Sequence, residues 1–323
     1  MTGILQIPEW WASTKPYING DWVGPMTQTI PDRSLDMIIT SPPYWSLRNY
    51  VDDSREMGSE ETFMTYIHRL VTGFTGIYRQ KLKDGGALWV NIGDTYNGSG
   101  GAGSTKEGRE RHTQFGKGEY SGAQSNPTRA KGYPNKTMLG IPFRFATAMI
   151  DSGWILRNTI IWKKPSCKPS SAKDRFTVDF EYLFFFTKNP HYYFKQQKEP
   201  AKSKWWIERK YNGKAVKEYG GAKAEDPSGI KRRMIEKGSD GTRNMRTVWE
   251  INPASFKGGH YAVYPEELIS VPIDACCKPG GIVFDPFLGR GTTIKVANSQ
   301  GKIGLGFDLC GDYNTLIDEY LGL

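Results

Sequence analysis

The sequence predicts an α/β fold, doubly wound around a mostly parallel sheet, and three observations predict it. Six short apolar runs read as buried strands, at residues 37–39, 87–92, 155–162, 182–186, 282–284 and 303–307. Helical patterns lie between several of them. Two of the runs end directly in rigid or glycine-rich turns, as strands do where an open sheet builds its ligand crevice.

The elements follow in order. Residues 60–82 carry Phe63, Ile67, Leu70, Val71 and Phe74 close to a 3.6-residue period, which predicts an amphipathic helix after the first strand. Further helices are predicted over 142–151, 265–277, 292–300 and 313–320. Residues 97–136 are rich in Gly, Ser, Thr and cations with almost no apolar periodicity, and read as a long mobile loop. From 195 to 246 cations crowd the chain, among them Lys202, Lys204, Arg209, Lys210, Arg232, Arg233 and Arg243, with Trp205, Trp206 and Tyr211 interleaved. Such a mixture suits phosphates and bases, although a plain solvated insertion would carry the same residues.

The chain has 323 residues, of which 38% are hydrophobic and 13% aromatic, enough for a large core and against disorder throughout. A formal net charge of +9 favours a polyanionic partner. No apolar run approaches membrane-spanning length, and residues 1–8 lack the basic start and apolar core of a signal peptide. The four cysteines form no metal-type spacing, and adjacent Cys276 and Cys277 suit a disulfide poorly. A cytoplasmic protein with reduced thiols and no metal is the expectation.

Two segments carry chemistry. Thr40-Ser41-Pro42-Pro43-Tyr44 follows the first strand. Consecutive prolines fix two φ angles and end sheet pairing, so the turn is rigid. It can present the Ser41 hydroxyl and the Pro42 carbonyl as acceptors beside an aromatic plate, Tyr44. An exocyclic amine of a base is a poor nucleophile because its lone pair is delocalised. Acceptors for both of its N–H groups favour a pyramidal nitrogen that can attack a methylsulfonium in line. A simple proline turn closing a strand would look the same. The second segment, Asp285-Pro286-Phe287-Leu288-Gly289-Arg290-Gly291-Thr292-Thr293, also follows a strand. Its glycines allow close backbone approach to a ligand, while the spacing is neither that of a dinucleotide fingerprint nor that of a phosphate loop. Asp308 ends the next strand, where an acid binds ribose hydroxyls. A nucleoside cofactor without a long phosphate tail fits both features.

In this order the motifs resemble the beta group of DNA amino-methyltransferases. The matches include Asn19-Gly20-Asp21, Thr40 to Tyr44, 88–94, 161–165, 171–175, 181–188, 260–268 and 285–293. The resemblance implies a seven-stranded, circularly permuted Rossmann-like sheet that binds S-adenosyl-L-methionine and yields S-adenosyl-L-homocysteine. It implies a catalytic half at 1–194, a target-recognition insert at 195–246 and a cofactor half at 247–323. Ser41, Pro42, Pro43 and Tyr44 correspond to the methylating pocket. Asp285, Pro286, Phe287, Gly289, Gly291 and Thr292 correspond to the methionine loop, with Thr40 beside it, Asp308 on the ribose and Asp21 on the adenine. His260, Ala262 and Tyr264 match a segment that contacts the cofactor or serves structure alone. Asp94 is a further catalytic candidate, and Trp162 either holds the flipped base or sits in the core. Serine before Pro-Pro-Tyr is typical of cytosine-N4 enzymes, with adenine-N6 as the alternative and a catalytically dead DNA-binding protein below it. Duplex DNA is the implied substrate and a restriction endonuclease the functional companion, with the protein a monomer or homodimer. A C5-cytosine enzyme would instead need a cysteine nucleophile, and the expected Pro-Cys pair is missing from the sequence.

Overall fold

A computed structural model describes residues 6–46, 53–98, 130–167, 169–170, 172–200, 242–254 and 264–323. The strands are β1 (Tyr17–Asn19), β2 (Leu35–Thr40), β3 (Leu82–Ile92), β4 (Ile155–Lys163), β5 (Phe180–Thr187), β6 (Lys198–Pro200), β7 (Thr242–Asn244), β8 (Val248–Glu250), β9 (Ile282–Asp285) and β10 (Ile303–Asp308). The principal helices are α1 (Phe63–Thr72), α2 (Ile141–Asp151), α3 (Glu266–Cys276), α4 (Thr292–Ser299) and α5 (Tyr313–Leu321).

All six predicted strands form; most are runs of apolar side chains buried on both faces of the sheet, whereas β4 buries only Ile160 and Trp162 and exposes Arg157 and Asn158. The main sheet has the order β1-β10-β9-β2-β3-β5-β4-β8. It thus holds eight strands among the described residues, where seven were expected. The short edge strands β1 and β8 give little periodic signal, and in β8 only Trp249 is buried. Only β5 runs against its neighbours, pairing antiparallel with both β3 and β4. The other pairings are parallel, so β1, β10, β9, β2, β3 and β4 all end at one edge.

Side chains alternate across the sheet. Ile38, Leu88, Val90, Phe184, Phe186, Phe284 and Phe307 join the buried faces of α1 and α2 in one cluster. On the opposite face Trp89 stacks on Phe185 with ring centroids 4.4 Å apart, and the Cys276 thiol of α3 meets Trp89. Helix α1 begins where the Thr62 hydroxyl accepts the Thr65 N–H at 3.0 Å. It continues through a π-helical turn (Gly73–Tyr78) against Trp22. A Cβ on Gly73 would lie 2.2 Å from that indole, so only glycine lets the helix approach so closely.

Residues Gln196–Arg246 form a separate compact unit, of which β6 and β7 pair antiparallel. Of the cations expected to contact DNA, Lys202, Lys204, Arg209, Lys210, Arg232 and Arg233 lie outside the described residues. Arg243 is engaged locally, its Nε 2.7 Å from Glu199. The expected loop at 97–136 is described only at its stems. There the buried Asn97 side chain donates to the Tyr133 carbonyl at 2.7 Å and accepts from the Ala130 N–H at 2.7 Å, closing the neck. No helix among the described residues is long and apolar enough to cross a membrane.

Candidate active site

The parallel strands deliver both predicted segments to one edge. Met37 and Ile38 of β2 pair with Val283 and Phe284 of β9, so the turn after Thr40 and the loop after Asp285 leave the sheet side by side. The Thr40 hydroxyl donates to Asp285 Oδ1 at 2.6 Å, which ties one segment to the other. Had the strand order separated β2 from β9, the two could not have served one reaction.

Asp285 is wholly buried and braces the glycine loop. Its Oδ1 also accepts the Phe287 N–H at 3.0 Å, and its Oδ2 accepts the hydroxyls of Tyr264 at 2.7 Å and Thr293 at 2.6 Å. Burial raises its carboxyl above the ordinary value, opposed by these donors. Tyr264 therefore joins the loop from outside it, whereas His260 and Ala262 lie outside the described residues. Pro286 is buried, and Phe287 packs on Trp22 with centroids 4.9 Å apart, joining the loop to the segment that bears Asp21. Gly289 and Gly291 have φ of +57° and +95°, the left-handed region that favours glycine. A Cβ on Gly289 would meet nothing within 4 Å, so its outer side faces open space. Thr292, also buried, begins α4.

Asp308 closes the loop on its other side. Its Oδ2 accepts the Gly289 N–H at 2.7 Å and its Oδ1 the Cys310 N–H at 2.9 Å. Burial pushes this carboxyl up to about 7, with the two N–H groups acting against the shift. Asn19 pairs in register with Asp308, so Asp21 lies just beyond, its Oδ1 accepting the Val23 N–H at 3.3 Å. Each oxygen of Asp308 accepts one backbone bond and keeps a further lone pair for a hydroxyl donor. The site thus fits a ribose: a desolvated carboxylate beside an open glycine turn.

Around the Pro-Pro turn the structure gives places to residues from the matched segments 88–94, 161–165 and 181–188 to which the sequence assigned no role. Tyr44 donates to Glu181 Oε2 at 2.7 Å and approaches Asn91 Oδ1 at 3.2 Å. Ser41 donates to that same Asn91 oxygen at 3.3 Å, which leaves the lone pairs of its own oxygen for other donors. Lys164 is ion-paired to Glu181 Oε1, and its ammonium lies 4.2 Å from the centre of the Trp162 ring. Burial, followed by the adjacent Glu181 carboxylate, raises the Tyr44 phenol well above its ordinary value. A Cβ on Gly93 would come within 2.5 Å of the Tyr44 ring, so glycine seats the ring against β3's end. From the other side the Gly58 carbonyl accepts the Ser46 N–H at 2.7 Å, and the Trp45 indole donates to the Glu60 carbonyl at 2.8 Å.

Two candidates take structural places. Asp94 accepts the N–H groups of Gly140 at 3.0 Å and Ile141 at 3.1 Å, anchoring the start of α2. Trp162 is buried and donates its indole N–H to the Ile251 carbonyl at 2.8 Å, as a core residue does. Cys276 and Cys277 are buried with thiols pushed up to about 12, which makes poor nucleophiles of them.

A family profile described as DNA methylase matches residues 35–319, which spans both segments and the sheet between them. The chain belongs to the DNA methylase family. The methylase is 35% identical over 292 residues to the Type II methyltransferase M.SmaI of Serratia marcescens, an alignment covering 90% of this chain and 86% of that one. It is 37% identical to the Type II methyltransferase M.Cfr9I of Citrobacter freundii, over 88% of this chain and 80% of the relative. Its fold is shared with the PvuII DNA methyltransferase (cytosine-N4-specific), at a TM-score of 0.58 and 17% identity over 95% of this chain and 88% of that chain. A Thermus thermophilus protein solved with S-adenosyl-L-methionine aligns at a TM-score of 0.55 and 18% identity, over 95% and 92% of the two chains.

Proposed function

We infer that the methylase transfers the methyl group of S-adenosyl-L-methionine to N4 of a cytosine extruded from duplex DNA, as the modification partner of a restriction endonuclease. One observation carries this reading: the 2.6 Å bond from Thr40 to Asp285 sets Ser41 and Tyr44 beside the glycine loop. The solved neighbours support the cofactor and the base, one bound to S-adenosyl-L-methionine and the other named cytosine-N4-specific. The Type II names of the relatives support the pairing with an endonuclease.

Asp308 would hold the ribose, Asp21 the adenine, and the backbone of Phe287 to Thr292 the methionine end. The bound cofactor supplies an electrophilic methyl group. The protein supplies position. Ser41, its proton committed to Asn91, accepts one N–H of the target amine, and the Pro42 carbonyl accepts the other. Tyr44 stacks on the extruded ring, offsetting part of the cost of leaving the helix. In the insert, Lys202, Lys204, Arg209, Lys210, Arg232 and Arg233 would hold phosphates, so DNA affinity should fall with added salt.

The test is to incubate duplex plasmid with labelled cofactor, digest it to nucleosides and identify the labelled product by mass spectrometry. N4-methyldeoxycytidine is expected, and the Ser41→Ala protein should yield far less of it. N6-methyldeoxyadenosine as the product would overturn the choice of base, and unlabelled DNA would overturn the reaction.

Asp308 gives the cofactor site a pH dependence. Its carboxyl titrates at about 7 against an ordinary 3.8. A carboxyl raised on folding stabilises the protein below about pH 4, and this contribution is lost as pH rises towards 7. Ribose hydroxyls that donate to the carboxylate favour the anion instead. Cofactor affinity should therefore be level above about pH 7 and weaken below it, approaching tenfold per unit. Calorimetric titration across that range would show the slope, and Asp308→Asn should bind weakly with no slope. A wild-type affinity independent of pH would refute the role given to Asp308.

A further inference from the structure

We propose that Phe176 is a wedge that enters the DNA base stack beside the target and fills the space left by the extruded base. The proposal rests on the reading of base extrusion above and adds the residue that sustains the opened duplex.

Phe176 is 96% exposed, whereas the other exposed large apolar side chains among the described residues lie between 43% and 62%. Each of those keeps a third or more of its surface covered, as ordinary surface residues do. Phe176 keeps almost none, and water is a poor medium for a phenyl ring.

Its place in the fold points to DNA. Strand β5 runs opposite to β3, so the residues before Phe180 lie at the edge where the catalytic strands end. Glu181, five residues after Phe176, holds the Tyr44 hydroxyl. Five residues of fully extended chain span about 18 Å, which bounds the distance between them. The segment is tethered at both sides of the ring. The Asp179 carbonyl accepts the Lys164 N–H at 2.7 Å, Lys136 pairs with Asp174 at 2.5 Å, and the Arg175 guanidinium lies 3.7 Å from the centre of the Tyr96 ring.

Charge around the ring is mixed but leans to cations. Lys173 and Arg175 are exposed beside it, with Lys136 and Lys163 nearby, against Asp174, Asp179 and Glu250. Lys173 and Arg175, just before the exposed ring in the chain, match a phosphate backbone beside a base step. Phenylalanine is among the residues that proteins insert between base steps.

The test compares Phe176→Ala and Phe176→Trp with the wild-type enzyme on two duplexes bearing the sequence that the wild type methylates. In one the target is normally paired, and in the other the nucleotide opposite it is abasic, so the target is already unpaired. On the paired duplex Phe176→Ala should lose about tenfold or more in kcat/KM, in keeping with the loss of one stacked ring. On the abasic duplex the loss should shrink to about twofold. Phe176→Trp should stay near the wild type on both, and cofactor affinity should be unchanged in both variants. Equal losses on the two duplexes, or no loss on either, would overturn the wedge. So would a change in self-association, which would assign the ring to a second copy of the chain. Methylation by the wild type decides the underlying reading separately, and wild-type protein that labels no DNA would overturn both.

Discussion

Asp285→Ala should destabilise the methylase by about 2–4 kcal/mol and weaken cofactor binding at least tenfold. The substitution strands donors in a site that water does not reach. Thr40, Tyr264, Thr293 and the Phe287 N–H all direct hydrogens at one buried carboxylate. Tyr264 and Thr293 are close enough to turn to each other. Thr40 and Phe287 lose the acceptor they share, and an unsatisfied buried donor costs about 1–3 kcal/mol. Removing the carboxylate also removes its own desolvation penalty, which keeps the net below a simple sum. Asp285→Asn retains one acceptor oxygen and should fall between alanine and the wild type. Urea unfolding gives the stability, and repeating it with cofactor gives the affinity. An alanine variant as stable as the wild type would show that the cluster does not hold the loop.

What could be read from the sequence divides along physical lines. Residues 87–92 and 182–186 announced themselves as strands because both faces are buried, but nothing in such a run tells parallel from antiparallel, so the reversal of β5 was illegible. Three-residue β1 and β8 are too short to show a period. The Pro-Pro turn and the glycine loop were legible because backbone constraints dictate residue types directly. Asn91, Glu181 and Lys164 carry no such mark. They come from β3, from β5 and from the residue after β4, and they meet only because the registers set Ile92 against Tyr182 and Trp162 against Glu181. The place of Asp94 was illegible for the same reason, since the N–H groups that it anchors lie 46 and 47 residues along the chain.

The Glu181 carboxylate accepts from the Tyr44 hydroxyl at 2.7 Å, and its removal should lower kcat about 100-fold while leaving KM for DNA within a few-fold. In Glu181→Ala the Tyr44 hydroxyl loses its 2.7 Å acceptor and keeps Asn91 at 3.2 Å, and Lys164 keeps its charge without its carboxylate. The ring is then free to tilt about its seat at Gly93. A displacement of about 1 Å at a reacting centre can cost 100-fold, because transfer depends on in-line placement of amine and methyl group. Tyr44→Phe separates this role from a purely structural one. Without the hydroxyl, Glu181 has nothing to orient, so Glu181→Ala should cost much less in that background than in the wild type. Glu181→Gln, which keeps an acceptor oxygen, should recover part of the rate. Single-turnover kinetics of the four proteins in the cycle measures the coupling, with thermal unfolding to confirm that each is folded. Equal losses in the Tyr44 and Phe backgrounds would show that Glu181 acts through the fold and not through the Tyr44 ring.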